Sequence, residues 1–202
     1  MYKVLETDNF LKWLGGLKDL STRIRLVRRL DKARLGNLGD VKALTDGVYE
    51  MREKFGPGWR MYYVVRGKAI IVMLGGGDKS SQSSDIKAAK KLAKLLEDQM
   101  KTVKTEKKIK VSELAEFDIT RHLKSKRAMT EYLNQVIADG DDAELAAALG
   151  HIARAKGMAE ISKSSGITRE ALYKALKPNT KPRFNTVSKV LGALGMRITV
   201  HA

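Results

Sequence analysis

A charged segment without hydrophobic periodicity interrupts the chain near its midpoint and divides it into two units. Residues 100–108 read Met-Lys-Thr-Val-Lys-Thr-Glu-Lys-Lys, and they follow a pattern typical of an apolar helix. Polar, charged stretches of this kind are typical of linkers. In a chain of 202 residues, we therefore predict two small domains, residues 1–99 and 111–202, with a linker over 100–110. Met100 followed by lysines also resembles the start of a second reading frame, which favours two small proteins joined end to end.

The first half has the mixed helix and strand pattern of an α+β domain. Three apolar segments separated by turn residues predict strands, and the last of them is apolar on both faces, which predicts a central strand. The predicted elements are a strand over 2–6, helices over 8–18 and 21–35, strands over 48–55, 59–65 and 69–74, and a helix over 83–97. The run Gly75-Gly76-Gly77 is interpreted as the end of the last strand. This order predicts a small antiparallel sheet with helices on one side.

Strand alternation predicts an open, basic face on this sheet, because successive side chains point to opposite sides. The side chains expected on the open face are Arg52, Lys54, Arg60 and Tyr62, and Lys79 follows the last strand. An ordinary solvated strand face is the alternative interpretation. The arginine-rich helix over residues 23–34 is interpreted in the same way, as a solvated helix face.

The second half has an all-helical pattern. The predicted helices span 125–138, 141–156, 158–165, 168–176 and 185–194, and residues 196–200 are predicted as a strand-like tail. Residues 159–173 have the spacing of a helix-turn-helix, with Gly166 at the turn and Ala159, Ile161, Ile167 and Leu172 between the two helices. The side chains that the second helix would bring to a DNA groove and its phosphates are Thr168, Arg169, Tyr173, Lys174 and Lys177.

The charge balance favours a polyanionic partner. The chain has 39 basic and 23 acidic residues and a formal net charge of +16, and each half carries +8. Nucleic acid is the commonest partner of so basic a protein. The absence of cysteine excludes a disulfide scaffold, a cysteine-ligated zinc site and a thiol nucleophile. We expect no cofactor, no metal cluster and no membrane span, since the longest apolar run covers only residues 69–74. A cytoplasmic protein is expected.

Several motifs of the first half, in order, resemble the RelE/ParE superfamily of toxins, and in particular its HigB-like addiction module killer group. The matching segments are Gly-Asn-Leu-Gly-Asp-Val-Lys at 36–42, Phe-Gly-Pro-Gly-Trp-Arg-Met-Tyr-Tyr at 55–63 and Leu-Gly-Gly-Gly-Asp-Lys-Ser-Ser-Gln at 74–82. The resemblance covers nearly the whole half and implies cleavage of mRNA, often on the ribosome.

The residues of this half permit such a reaction. Cleavage of RNA by its own 2′-hydroxyl needs a proton acceptor, a charge that stabilises the phosphorane and a proton donor for the leaving oxygen. No histidine lies before His122, so lysine, arginine and tyrosine would do this work. Arg60 is the candidate charge clamp, with Lys54 and Lys79 as candidate acid and base in either order. Arg52, Tyr62 and Gln82 are candidates for orienting the RNA.

The second half resembles HigA-like antitoxins with an XRE-type helix-turn-helix. The residues that carry this resemblance are 145–158 and 169–176. The resemblance implies a homodimer that reads two half-sites of operator DNA, and an antitoxin that keeps the toxin half latent. Residues 117–123 and the helix over 127–137 are candidate toxin-covering elements.

Two alternatives stay open at this point. The first half could poison a topoisomerase in the manner of ParE, through protein contacts and without cutting RNA, because a fold alone does not determine activity. The whole chain could instead be a transcriptional regulator whose first half serves in dimerisation or sensing. The cationic set at 52, 54, 60 and 79 favours the nuclease.

Overall fold

The computed structural model describes residues 1–97 and 109–199, which fold as two compact units. The first unit comprises Met1–Asp19 and Leu26–Phe117, and the second comprises Leu20–Arg25 and the chain from Asp118 onward. The possible second start at Met100 and most of the expected linker lie outside the described residues. Residues 109–117 belong to the first unit, so the structural boundary falls after Phe117 and not at residue 99.

The first unit is a mixed sheet with helices. Its elements are β1 (Lys3–Glu6), α1 (Asp8–Gly16), α2 (Leu20–Arg34, whose first turn belongs to the second unit), β2 (Val41–Ala43), β3 (Val48–Arg52), β4 (Arg60–Arg66), β5 (Ile70–Gly77), α3 (Gln82–Leu95), β6 (Leu96–Glu97), β7 (Ile109–Lys110) and β8 (Ala115–Glu116). The large sheet has the order β2-β3-β4-β5-β1-β8, and β6 pairs with β7 separately. The predicted strands and helices of residues 2–97 are confirmed in type with shifted ends, except that residues 96–97, predicted as helix, form β6, and that β2 is an additional strand.

The prediction of a purely antiparallel sheet is wrong, because β1 and β5 run parallel. Adjacent parallel strands need a long crossover connection, and the chain supplies one here. It leaves β1 through two helices and returns through β2, β3 and β4, so that it enters β5 from the end at which β1 began. The remaining pairs of the large sheet are antiparallel.

The prediction of helices on one side of the sheet is also wrong, and the glycine run explains why. Gly75, Gly76 and Gly77 continue β5 and pair with the first three residues of β4, so they do not end the strand. A Cβ on Gly76 would collide with the Trp13 indole of α1, whereas one on Gly77 would collide with Asp85 of α3. Neighbouring residues of a strand point to opposite faces. Helices α1 and α3 therefore cover opposite faces, and β4 is buried on both.

These glycines give a matched pair of stability predictions. We expect Gly76→Ala to lower the free energy of unfolding of the first unit by about 1–3 kcal/mol, the usual cost of overpacking. The Trp13 ring contacts the rings of Phe10 and Trp59, at centroid distances of 5.5 and 6.4 Å, so it has little room to move. Gly75→Ala is the control, because nothing lies within 4 Å of its added Cβ.

Urea unfolding followed by tryptophan fluorescence measures this difference, since both tryptophans lie in the first unit. An equal loss of stability in the two variants would contradict the two-sided packing of β5.

The second unit is helical, as predicted. It contains α4 (Lys126–Asp139), α5 (Asp142–Lys156), α6 (Met158–Ser165), α7 (Arg169–Ala175) and α8 (Phe184–Ala193). Ser125 caps α4 by accepting a hydrogen bond from the Ala128 amide at 3.1 Å, which satisfies an otherwise unpaired donor. The first turn of α2 belongs to this unit, and Ser21 Oγ donates to Glu131 of α4 at 2.7 Å.

Two details of the second unit differ from prediction. Residues 196–199 form no strand, because the described part of this unit holds no sheet with which they could pair. Ala159, expected between the helices, is exposed, and the neighbouring Met158 is buried in its place. Across the described residues, no helix combines the length and apolarity needed to cross a membrane.

Candidate functional site

Arg60 lies at the first position of β4 and is held by an ion pair and a hydrogen bond. Its Nε atom is 3.1 Å from Glu50 Oε1, and its Nη1 donates to the Gly58 carbonyl at 2.6 Å. The side chain is 13 % exposed, and that of Glu50 is 1 % exposed. A buried ion pair with further hydrogen bonds fixes the orientation of its members. The guanidinium is therefore preorganised, and it does not lie on an open strand face as predicted.

Glu50 is the functional candidate that sequence reasoning missed. Gln82, at the start of α3, donates from Nε2 to the same Glu50 oxygen at 2.7 Å. Gln82 was predicted to orient RNA, and its described contact is with Glu50 instead. A signal was present in the sequence, because alternation placed Glu50 on the same face as Arg52 and Arg60. A lone carboxylate among cations indicates an ion-pair partner.

The predicted exposure of Tyr62 is wrong. Tyr62 pairs with Glu50 in the β3–β4 register and is fully buried in a core cluster with Val64 and Leu92. Burial, helped by the negative charges of Glu50 and Asp85, raises the pKa of its hydroxyl. The cause of the error is α3, which covers the face that alternation assigned to solvent. A fully buried ring has no surface on which an RNA base could stack, so Tyr62 serves the core.

Lys79 and Arg60 meet at Gly58. The position that a Cβ would take on Gly58 lies 3.3 Å from Arg60 Nη1 and 3.8 Å from Lys79 Cβ. Gly58 has a φ of +80°, a conformation that favours glycine. The Lys79 side chain is exposed. The loop between β3 and β4 thus brings the fixed guanidinium of Arg60 close to the base of the exposed Lys79 side chain.

Arg52 and Lys54 gather at Asp40. Arg52 donates to Asp40 Oδ1 from Nε at 3.2 Å and from Nη2 at 2.6 Å, and these bonds hold the pKa of Asp40 below its usual value. Lys54 Nζ lies 3.9 Å from Asp40 Oδ2, and its side chain is 88 % exposed. Arg29 of α2 steadies this group by donating to the Asp40 carbonyl at 3.3 Å and pairing with Glu53 at 3.2 Å. Arg29 therefore does not lie on a solvated face.

The two groups are neighbours at one end of the sheet. Arg52 closes β3 directly opposite Arg60, which opens β4, and Gly77 closes β5 on the other side of Arg60. The structure thus brings the predicted cations to one place, with Arg52 and Arg60 fixed by carboxylates and Lys54 and Lys79 exposed. This arrangement can bind a phosphate while offering mobile proton-carrying groups beside it.

The surface of α7 presents a second cationic set, in the second unit. The exposed residues are Thr168, Arg169, Tyr173, Lys174 and Lys177, whereas Leu172 and Leu176 are buried. The turn before α7 contains Gly166 with a φ of +67°, and Ser162 Oγ donates to the Ile167 carbonyl at 2.7 Å. Thr168 caps α7 by accepting from the Ala171 amide at 3.2 Å, so its hydroxyl has a structural task as well.

Both histidines within the described residues, His122 and His151, are at least partly buried. His151 is buried, and its Nδ1 atom is 2.9 Å from the Tyr132 hydroxyl. Burial, together with the charges of Arg23 and Arg121, lowers the pKa of His122 to about 4. His201 lies outside the described residues. Within residues 1–97 and 109–199, no three acidic or histidine side chains are close enough together to hold a metal ion.

Comparison with known proteins identifies a family for the second half of the chain. Residues 113–202 match the family described as "Probable addiction module antidote protein". Two proteins of Haemophilus influenzae, both described as uncharacterized, are also similar. One is 38 % identical over 94 residues, which cover 46 % of this chain and 95 % of that protein. The other is 41 % identical over 89 residues, which cover 44 % of this chain and 92 % of that protein.

Through residues 113–202, the chain belongs to the family of probable addiction module antidote proteins. That membership gives the chain a role related to toxin–antitoxin systems and implies a toxin as partner. No solved structure matches the chain. The resemblance of the first half to RelE-type toxins lies outside residues 113–202 and stays a prediction.

Proposed function

We propose that the chain is a toxin–antitoxin pair on one polypeptide. Residues 1–97 cleave mRNA, and the antidote region restrains them and binds operator DNA. The observation that carries the nuclease proposal is the fixed Arg60 guanidinium at the Gly58 loop, close to the base of the exposed Lys79 side chain. Preorganised donors aimed at developing charge are the largest single contribution to catalysis in many enzymes.

The proposed reaction uses the nucleophile of the RNA itself. The 2′-hydroxyl gives its proton to one group and attacks the neighbouring phosphorus, and the bond to the 5′ oxygen breaks. That oxygen then takes a proton from a second group, which leaves a 2′,3′-cyclic phosphate and a 5′-hydroxyl end. Arg60 stabilises the negative charge of the phosphorane. Of Lys54 and Lys79, one accepts the proton of the 2′-hydroxyl and the other donates a proton to the 5′ oxygen. Glu50 is a positioning residue that acts through Arg60.

Expression of residues 1–97 tests this proposal. We expect growth arrest together with new mRNA 5′ ends that carry hydroxyl groups, mapped across the transcriptome. Lys79→Ala should reduce both effects, whereas Lys68→Ala, an exposed cation in the turn between β4 and β5, is the control. Arrest without new RNA ends would instead support poisoning of a topoisomerase. Normal growth would refute a toxin and leave a transcriptional regulator.

The antidote region offers α7 to DNA in this proposal. We expect Arg169→Ala to weaken binding to the DNA upstream of the reading frame by about 5- to 150-fold, the worth of a base contact of about 1–3 kcal/mol. Lys177→Ala should weaken binding to any DNA duplex. The slope of log affinity against log salt concentration should become shallower by about one, because one phosphate contact is lost. Lys189→Ala, an exposed cation on α8, is the control. Fluorescence anisotropy over a range of salt concentrations measures both, and identical behaviour of the three variants would contradict a role of α7.

A further inference from the structure

The chain after residue 108 returns to the first unit and pairs with it twice. Strand β7 runs parallel to β6, with Ile109 beside Leu96. Strand β8 runs antiparallel to β1, with Glu116 beside Leu5, and the Phe117 amide donates to the Val4 carbonyl at 2.9 Å. The antidote family match begins at residue 113, so β8 belongs to the antidote region by sequence and to the first unit by structure.

Apolar side chains of residues 109–117 also pack against the core of the first unit. Ile109, Val111 and Leu114 pack against the apolar cluster that contains Leu5, Leu92 and Leu96. Phe117 is 3 % exposed. At the surface, Lys3 Nζ lies 3.4 Å from Glu116 Oε2. Backbone pairing, buried side chains and an ion pair thus meet on one short segment.

Without this segment, β1 is an open sheet edge. Strand β8 is the last strand in the order of the large sheet, and β1 is the next one in. An unpaired edge with an apolar groove beside it is a template for another strand. The occupant of this edge is a segment of this chain's antidote region, in which Phe117 is buried and Ser112, Glu113 and Glu116 are exposed.

We infer that residues 109–117 are an exchangeable donor strand, through which the antidote region completes the sheet of the first unit, and that release of this strand ends the latency of the nuclease. The second clause rests on the proposed function, whereas the first does not. A separate antidote molecule that carries this segment would occupy the same edge.

Amide hydrogen exchange of the full chain, resolved by residue, tests the strand. The amides of Lys3 and Thr7 donate to Ala69 at 2.8 Å and to Met73 at 3.2 Å, on the β5 side. Because amides of a strand alternate, those of Val4 and Glu6 face β8. Phe117→Pro removes the amide N–H that donates a hydrogen bond to the Val4 carbonyl. We expect exchange at Val4 and Glu6 to accelerate at least tenfold, with Lys3 and Thr7 unchanged.

A second variant guards against a general loss of folding. Lys3→Glu places two carboxylates together on the exposed surface, and we expect severalfold faster exchange at Val4 and Glu6. The double variant Lys3→Glu/Glu116→Lys should return exchange to the rate of the parent chain. Unchanged exchange at Val4 and Glu6 in both Phe117→Pro and Lys3→Glu overturns the donor strand.

A peptide of residues 109–117 tests exchangeability and latency. Added to the full-length Phe117→Pro chain, it should restore slow exchange at Val4 and Glu6. If the peptide does not restore slow exchange, the inference that the strand is exchangeable is overturned. Full-length Phe117→Pro should also cleave RNA, and the peptide should suppress that cleavage. If residues 1–97 cleave RNA but full-length Phe117→Pro does not, the latency clause is overturned. If neither cleaves, the proposed nuclease fails, while the exchange result still decides the strand.

Discussion

Replacing Glu50 with alanine should lower the free energy of unfolding of the first unit by about 3–5 kcal/mol. The variant removes the carboxylate that pairs with Arg60, whose side chain is only 13 % exposed. It also removes the acceptor of Gln82. Breaking a buried pair on one side is costly, because the remaining charge has lost its partner and has not regained its water.

Urea unfolding followed by tryptophan fluorescence measures this loss. Glu113→Ala is the matched control, because Glu113 pairs with Lys110 at 3.3 Å on the surface, with both side chains more than 60 % exposed. Exposed pairs contribute about 0–1 kcal/mol. An equal loss of unfolding free energy in the two variants would show that the ion pair of Glu50 with Arg60 stabilises the first unit no more than an exposed pair does.

Replacing Arg60 with alanine should slow RNA cleavage by residues 1–97 about 10²- to 10³-fold, the usual loss when a preorganised donor to transition-state charge is removed. The same variant strands the buried Glu50 carboxylate, so a loss of activity alone has two possible causes. The double variant Glu50→Gln/Arg60→Ala separates them, because glutamine carries no charge. We expect this double variant to recover stability and to remain inactive.

Cleavage is measured under single-turnover conditions on a defined RNA, with unfolding followed on the same samples. Arg60→Lys should rescue little activity, since an ammonium lacks the planar fork that bridges Glu50, Gly58 and a phosphate. Recovery of cleavage in the double variant would refute Arg60 as the charge clamp and leave it a structural residue.

The sequence predicts the elements well because local signals determine them. Ser125 and Thr168, the first residues of two predicted helices, cap α4 and α7, and Gly166 takes the left-handed conformation at the predicted turn. The basic residues also gather as predicted, since β3, β4 and β5 are neighbours in the chain and their ends meet. These features depend on residues close in sequence or on hairpin pairing.

Long-range packing explains the errors. Strand alternation predicts an exposed Tyr62 only if no helix covers that face of the sheet. The helix that covers it is α3, which begins 20 residues further along the chain. The glycine run resembles a strand end, whereas its actual cause is the contact of Trp13 and Asp85 with opposite faces. Nothing in the local pattern of residues 115–116 indicates a strand, because its partner β1 lies more than 100 residues earlier.

The position of β8 in the chain has a consequence for biosynthesis. Translation proceeds from the N-terminus, so residues 115–116 are made after every other strand of the large sheet. A nascent chain stopped within the first 97 residues lacks its sixth strand. A first unit that takes β8 from its own chain has therefore been synthesised together with the start of its antidote region. On the proposed single polypeptide, the one-to-one ratio of the two regions is fixed on the ribosome and does not depend on separate transcription.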